Sequence, residues 1–166
     1  MKAINPADKR YDYVWNKLHS EFRFQPSVEQ LDNPWISVPF ENKKYHLNAH
    51  WNEDQERLIT NIFKDVVRSA MYALDWRHDG FIFDLNEDIP YEFEYHDDKR
   101  NVNVYFPTYY PDGDYFFFIS LDWKYGLFGH PWRKEIVIMG EELIEKFDLH
   151  VDELGLRKNE GIDNGI

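Results

Sequence analysis

The sequence predicts an α+β fold in which a mostly antiparallel, aromatic-rich sheet is covered on one side by three helices. Three observations predict it. Residues 111–143, PDGDYFFFISLDWKYGLFGHPWRKEIVIMGEEL, pack a tight turn, two apolar strands and a helix start into one short stretch. Residues 52–71 carry apolar pairs once per helical turn. Between these two lie short aromatic runs set around tight turns such as His78-Asp79-Gly80.

In chain order, Asn5 as cap and Pro6 in the first helical position open a helix whose apolar face carries Tyr11, Val14, Trp15, Leu18 and Phe22. Gln25-Pro26 closes it. Residues 35–40 and 45–51 read as strands. In the second, Tyr45, Leu47, Ala49 and Trp51 alternate with His46, Asn48 and His50, the pattern of a sheet with one wet side. Asn52 and Gln55 stand in capping-box relation at the head of the next helix, and Glu53, Asp54 and Glu56 sit near the positive end of its dipole. Its pairs Leu58-Ile59, Ile62-Phe63, Val66-Val67 and Ala70-Met71 face the core. Residues 72–76 and 81–85 read as strands. Tyr91, Phe93 and Tyr95 alternate with Glu92 and Glu94 as a half-exposed strand, a pattern that Val102, Val104 and Phe106 continue. Pro111-Asp112-Gly113 joins a preset φ, a side chain able to bond the backbone and a residue free to take φ > 0, which makes a turn. Residues 115–121 then form a buried central strand, and residues 136–139 another. Gly140 breaks the run, and Glu141-Glu142 begin a helix that turns Leu143, Ile144 and Phe147 inward. Residues 1–154 read as a single domain, and residues 155–166, GLRKNEGIDNGI, as a polar tail expected to be flexible.

Composition narrows the function. With 19 basic against 31 acidic residues the net charge is -12, which repels phosphate backbones and anionic lipid, so neither nucleic acid nor membrane is expected as a partner. The absence of cysteine removes disulfides, thiolate metal sites and thiol nucleophiles together, and it fits a reducing compartment. The first residues, MKAINPADKRYDYVW, hold no apolar h-region, and no window is long enough to span a bilayer. A cytoplasmic protein is expected.

Four motifs, in this order and spacing, carry a likeness: Tyr72-Ala73-Leu74-Asp75-Trp76-Arg77-His78, then Pro111-Asp112-Gly113-Asp114-Tyr115, then Gly126-Leu127-Phe128-Gly129-His130-Pro131-Trp132, then Ile138-Met139-Gly140-Glu141-Glu142-Leu143. Together they resemble a family of uncharacterised bacterial proteins, domain of unknown function 2716, over most of the chain. That resemblance implies a family and no activity. The order of a glycine-led turn, an aromatic strand ending in Leu121-Asp122, a glycine, a tryptophan and then an acidic-capped closing helix is also similar in layout to the SMI1/KNR4 (SUKH) group, many of whose members are immunity proteins that neutralise bacterial toxins.

Two sets of residues are candidates for function. Asp75 and His78 stand three apart where a strand meets a turn, with Asp112, Asp114 and His130 in later turns, so five polar groups could converge at one end of the sheet. Carboxylates with imidazole suit acid-base work or a divalent cation. The plainer expectation is that Asp75 and His78 bond turn backbone, Asp112 caps its own turn and His130 is fixed by the following proline, so no metal and no cofactor is expected. His46 and His50 cannot share an ion, being about 13 Å apart along a strand. No phosphate-cradling loop and no Gly-x-Ser-x-Gly elbow is present.

The second set is acidic. Seven carboxylates, Asp84, Glu87, Asp88, Glu92, Glu94, Asp97 and Asp98, fall within fifteen residues, interleaved with Tyr91, Phe93 and Tyr95. Together with Trp123 and Trp132, read as anchors exposed in loops, they suit a docking surface in which negative potential speeds encounter and rings hold the contact. The sequence therefore favours a non-enzymatic binding protein of immunity or inhibitor type that masks a basic protein partner such as a toxin. Two alternatives stay open: a small enzyme or ligand-binding protein built on the Asp/His set, and an acidic mimic of nucleic acid.

Overall fold

A strand that is apolar on both sides of its pleat needs cover on both faces. The run Phe116-Phe117-Phe118-Ile119 is such a strand, and so is Ile136-Val137-Ile138-Met139. In the computed structural model, which describes residues 1–28 and 33–158, both have two covers.

The elements run β1 (Lys2–Ile4), α1 (Lys9–Ser20), β2 (Asn42–Leu47), α2 (Glu53–Val66), β3 (Met71–Asp75), β4 (Gly80–Phe83), β5 (Glu94–Asp97), β6 (Val102–Tyr105), β7 (Phe116–Ser120), β8 (Gly126–His130), β9 (Glu135–Met139), α3 (Glu141–Leu149) and β10 (Leu156–Lys158). Eight strands form one sheet in the order β1-β4-β3-β7-β8-β9-β2-β10, and each neighbouring pair is antiparallel. Strands β5 and β6 form a separate hairpin. The class is α+β, as the sequence predicts.

Alternation divides the core in two. Met71, Ala73, Phe116, Phe118, Leu127, Ile136 and Ile138 face Ile59, Ile62 and Phe63 of α2 and Leu143 and Phe147 of α3. Their sequence neighbours Tyr72, Leu74, Phe117, Ile119, Phe128, Val137 and Met139 face Val14, Trp15 and Leu18 of α1. The helices therefore lie on both faces, which corrects the expectation of cover on one side. An unbroken apolar run hides the period of two. The hairpin joins the α2/α3 side, where the ring of Phe106 just after β6 meets Phe81 at 5.1 Å and Phe83 at 5.2 Å.

Several boundaries differ from expectation. Asp8, not Asn5, caps α1, because Asn5 bonds the Ala7 N–H in a preceding turn while Asp8 accepts from Arg10 N–H. Residues 35–40 form no strand. They cross the α1 face as irregular chain, held by Gln25 N–H to Trp35 O at 2.8 Å and Ser37 N–H to Phe22 O at 2.7 Å. Residues 126–130, where the sequence predicts no strand and places His130 in a turn, are the central strand β8. Leu156–Lys158, at the start of the expected flexible tail, pairs with β2, and residues 159–166 lie outside the described residues. No helix among the described residues is long and apolar enough to cross a membrane.

Phe117 is fully buried, with its ring 4.9 Å from Phe24, 5.6 Å from Trp15 and 5.7 Å from Phe128. Truncating such a residue removes transfer energy and leaves a cavity. Phe117→Ala should cost about 3–5 kcal/mol, read as a lower urea midpoint at unchanged slope. A loss near zero would mean that the α1 face is not a packed layer.

Candidate functional site

The antiparallel register places Asp75, the last residue of β3, opposite Phe116, the first of β7. The turn that leaves β3 and the turn that leads into β7 must then lie side by side. Both are pinned. Trp76 N–H donates to Tyr115 O at 3.1 Å and His78 N–H to Asp75 O at 3.0 Å. Arg77 takes φ 69° and lays its guanidinium over the Trp76 ring, 4.1 Å from the centroid. Asp114 accepts from the N–H of Tyr115 at 2.7 Å. Pro111 packs so closely on β8 that a Cβ on Gly129 would stand 2.6 Å from its own Cβ.

Three side chains meet there. His78 Nδ1 lies 3.0 Å from Asp75 Oδ1 and 3.7 Å from Asp114 Oδ2. Burial pushes the Asp75 carboxyl up to about 6, only partly offset by the bond to His78. Burial also raises Asp114. Burial opposes charge on His78, yet the bond to Asp75 and the two negative neighbours outweigh it and hold the imidazole above its ordinary value.

The cluster forms part of the lining of a cleft of about 900 Å³ between the sheet end and the β5–β6 hairpin. Asp112, Glu92 and Glu94 also line it, with Phe93, Tyr105 and Phe106 as apolar wall. The hairpin is tied across by Arg100, whose guanidinium makes a fork to Asp79 at 2.9 and 2.6 Å and bonds Asp97 at 2.7 Å. A second cleft of about 360 Å³ lies beyond Glu92, lined also by Glu87, Asp88, Tyr91 and the buried Glu56. Glu56 accepts from the backbone N–H groups of Tyr109 at 2.7 Å and Tyr110 at 2.9 Å, and burial nevertheless raises it to about 7.

The two expected sites meet only in part. Asp75, His78, Asp112 and Asp114 share the cleft. His130 does not join them: it sits in β8, buried, with Nε2 3.4 Å from Tyr115 Oη, its ring 5.2 Å from that of Trp35, and its basicity pulled down to about 4 by burial. Of the acidic set, Glu92 and Glu94 line the large cleft and Glu87, Asp88, Tyr91 and Glu92 the small one. Asp84 bonds Asn86, Glu87 receives the terminal amine at 2.6 Å, Asp97 holds Arg100, and Asp98 lies 3.9 Å from His96. Tyr95 packs partly on the core. Trp123 is no exposed anchor: it takes φ 60° and lies buried against Phe22 and Tyr72. Trp132 is 40% exposed but belongs to the Tyr115 and His130 cage and does not line the cleft. Sequence reasoning missed Glu56 and Arg100. Glu56 had a signal, since it shares the stripe of Ile59, Phe63 and Val66; Arg100 had only Asp97 three residues before it, because its other partner, Asp79, is distant in sequence.

Glu56 binds its proton more tightly folded than unfolded. Its contribution is present below pH 4.5 and is lost as pH rises through about 7, a change of roughly 3 kcal/mol. Glu56→Gln should flatten the pH dependence of urea stability across that window; an unchanged slope would exclude this carboxyl as its source. Arg100→Gln should speed hydrogen exchange at residues 94–105 without changing it in β3, β7 or β9. Uniform acceleration would mean that the fork is not a local tie.

Residues 6–144 match the model of the family described as protein of unknown function, DUF2716. The chain is 40% identical over 153 residues to the uncharacterised protein YxiI of Bacillus subtilis (strain 168), an alignment that spans 86% of this chain and 90% of the relative. No solved structure matches. The matched span holds all three residues of the cluster, and the chain belongs to the family of domain of unknown function 2716.

Proposed function

We propose that this protein is a non-enzymatic binding protein of immunity or inhibitor type, whose acidic cleft receives a basic segment of a protein partner. One observation carries the reading: the cleft gathers Asp75, Asp79, Glu92, Glu94, Asp112 and Asp114 against Arg77, Arg100 and His78, whose imidazole is held above its ordinary value, and Arg100 is already paired with Asp79 and Asp97. A concave wall with more carboxylates than cations focuses the field of the whole chain, whose net charge is -12. Lysine or arginine side chains would find carboxylates along the rim and the faces of Phe93 and Tyr105 beside them, which suits cation-π contact as well as ion pairing.

The enzyme or ligand-binding alternative keeps one observation of its own, the close meeting of Asp75, His78 and Asp114 at the cleft. It differs in what it needs: a small substrate, and loss of turnover when the cluster is changed.

Neutralising Glu92, Glu94 and Asp112 tests the main reading, since none of the three anchors the fold as Asp97 does. Affinity capture from the native cell, followed by kinetics with the purified partner, should give an association rate that falls about tenfold or more from low to physiological salt. The Glu92→Gln, Glu94→Gln, Asp112→Asn variant should fold normally and associate more slowly by a similar factor. Association indifferent to both salt and the triple variant would sink the proposal.

A further inference from the structure

We propose that Asp75, His78 and Asp114 form a mononuclear site for a divalent cation of the zinc or manganese kind, with its open positions facing the cleft. Among the described residues, these three offer one donor atom each within 4.8 Å of one another. The individual distances are informative. Metal bonds of about 2.0–2.2 Å set neighbouring donor atoms about 3–3.6 Å apart around a tetrahedral or octahedral ion. His78 Nδ1 stands 3.0 Å from one carboxylate oxygen and 3.7 Å from the other, so the imidazole needs only a small adjustment to share an ion with both.

The donors also come from rigid places. Asp75 ends a central strand, Asp114 is locked by its own bond to the Tyr115 N–H, and His78 sits in a turn closed by its N–H on Asp75 O. Arg77, the neighbouring cation, is stacked on Trp76, and among the described residues it acts on Asp114 through its charge and not through an ion pair. Two carboxylates and one imidazole disfavour calcium and magnesium, which favour all-oxygen shells, and suit zinc, which takes imidazole readily, or manganese, a hard ion that takes carboxylates and accepts an imidazole beside them. Three protein ligands leave a fourth position for water or a ligand group, the arrangement of open metal sites. That position opens on a cleft of about 900 Å³. The same geometry without an ion is a hydrogen-bonded triad, and the test separates the two.

The full chain, stripped with chelator, is titrated calorimetrically with Zn²⁺ and, separately, with Mn²⁺ observed by its electron paramagnetic resonance. One equivalent should bind saturably. The His78 side chain is 63% exposed, so His78→Ala removes a ligand without opening the core. His78→Ala and Asp114→Asn should each weaken binding at least tenfold, while Asp84→Asn with Asp98→Asn leaves it unchanged. The rim variant that tests partner docking, Glu92→Gln with Glu94→Gln, should keep the ion, so either proposal can fail without the other. Absence of saturable binding, or binding untouched by His78→Ala, would overturn this one. Weakening by the acid variants alone would also overturn it, since that marks diffuse attraction to carboxylates.

Discussion

The structure depends on a sheet whose central strands are apolar on both faces. Strands β3, β7, β8 and β9 cannot leave either side in water, so α1 with the irregular chain around Phe24 and Trp35 must close one face and α2, α3 and the hairpin the other. Aromatic rings do most of this closing. Phe24 meets Trp35, Tyr115 and Phe117 edge to face at centroid distances of 6.3, 5.1 and 4.9 Å, a geometry that favours the ring quadrupoles as well as area burial. Such packing fixes strand positions tightly, and the residues at strand ends inherit that rigidity.

The cleft is built from this rigidity on one side only. Its floor consists of strand ends and the turn before β7, a turn held twice: Glu56 binds the Tyr109 and Tyr110 N–H groups, and Pro111 rests on Gly129. Its other wall is the two-stranded hairpin, outside the main sheet. A hairpin alone is marginal in water. This one is held by the Phe106 ring below and the Arg100 fork at its tip. The cleft therefore joins a fixed chemical floor to a wall whose attachment is partly polar, so its width is set by fewer contacts than its depth.

Much of this was legible in the sequence, for reasons that can be named. The capping box of Asn52 and Gln55 is local chemistry and appears as expected. Pro111-Asp112-Gly113 is a turn because its residues leave it little else to be, and Gly113 takes φ 80°. The convergence of Asp75, His78, Asp112 and Asp114 followed from placing each in a turn at one end of a sheet. His130 failed the same reasoning because Gly126-Leu127-Phe128-Gly129 looks like loop, and only its pairing with β7 and β9 makes it strand. The two-sided cover was illegible for a related reason: a strand buried on both faces shows no alternation, so nothing local says how many layers it needs. Trp123 misled in the opposite sense, since its turn is open to water while its ring is not.

The acidic segment shows why charge counts in sequence overstate a surface. Seven carboxylates between Asp84 and Asp98 suggest one continuous negative face. Three of them are engaged within the molecule, Asp84 with Asn86, Glu87 with the terminal amine and Asp97 with Arg100. What faces the clefts is a smaller group around Glu92 and Glu94, joined by carboxylates from other parts of the chain. Two electrostatic regimes follow. The net charge acts at long range and fades beyond about 8 Å at physiological ionic strength, so it governs how often a cation arrives. Asp75 and Asp114, whose side chains are mostly buried, act at short range where salt screens weakly.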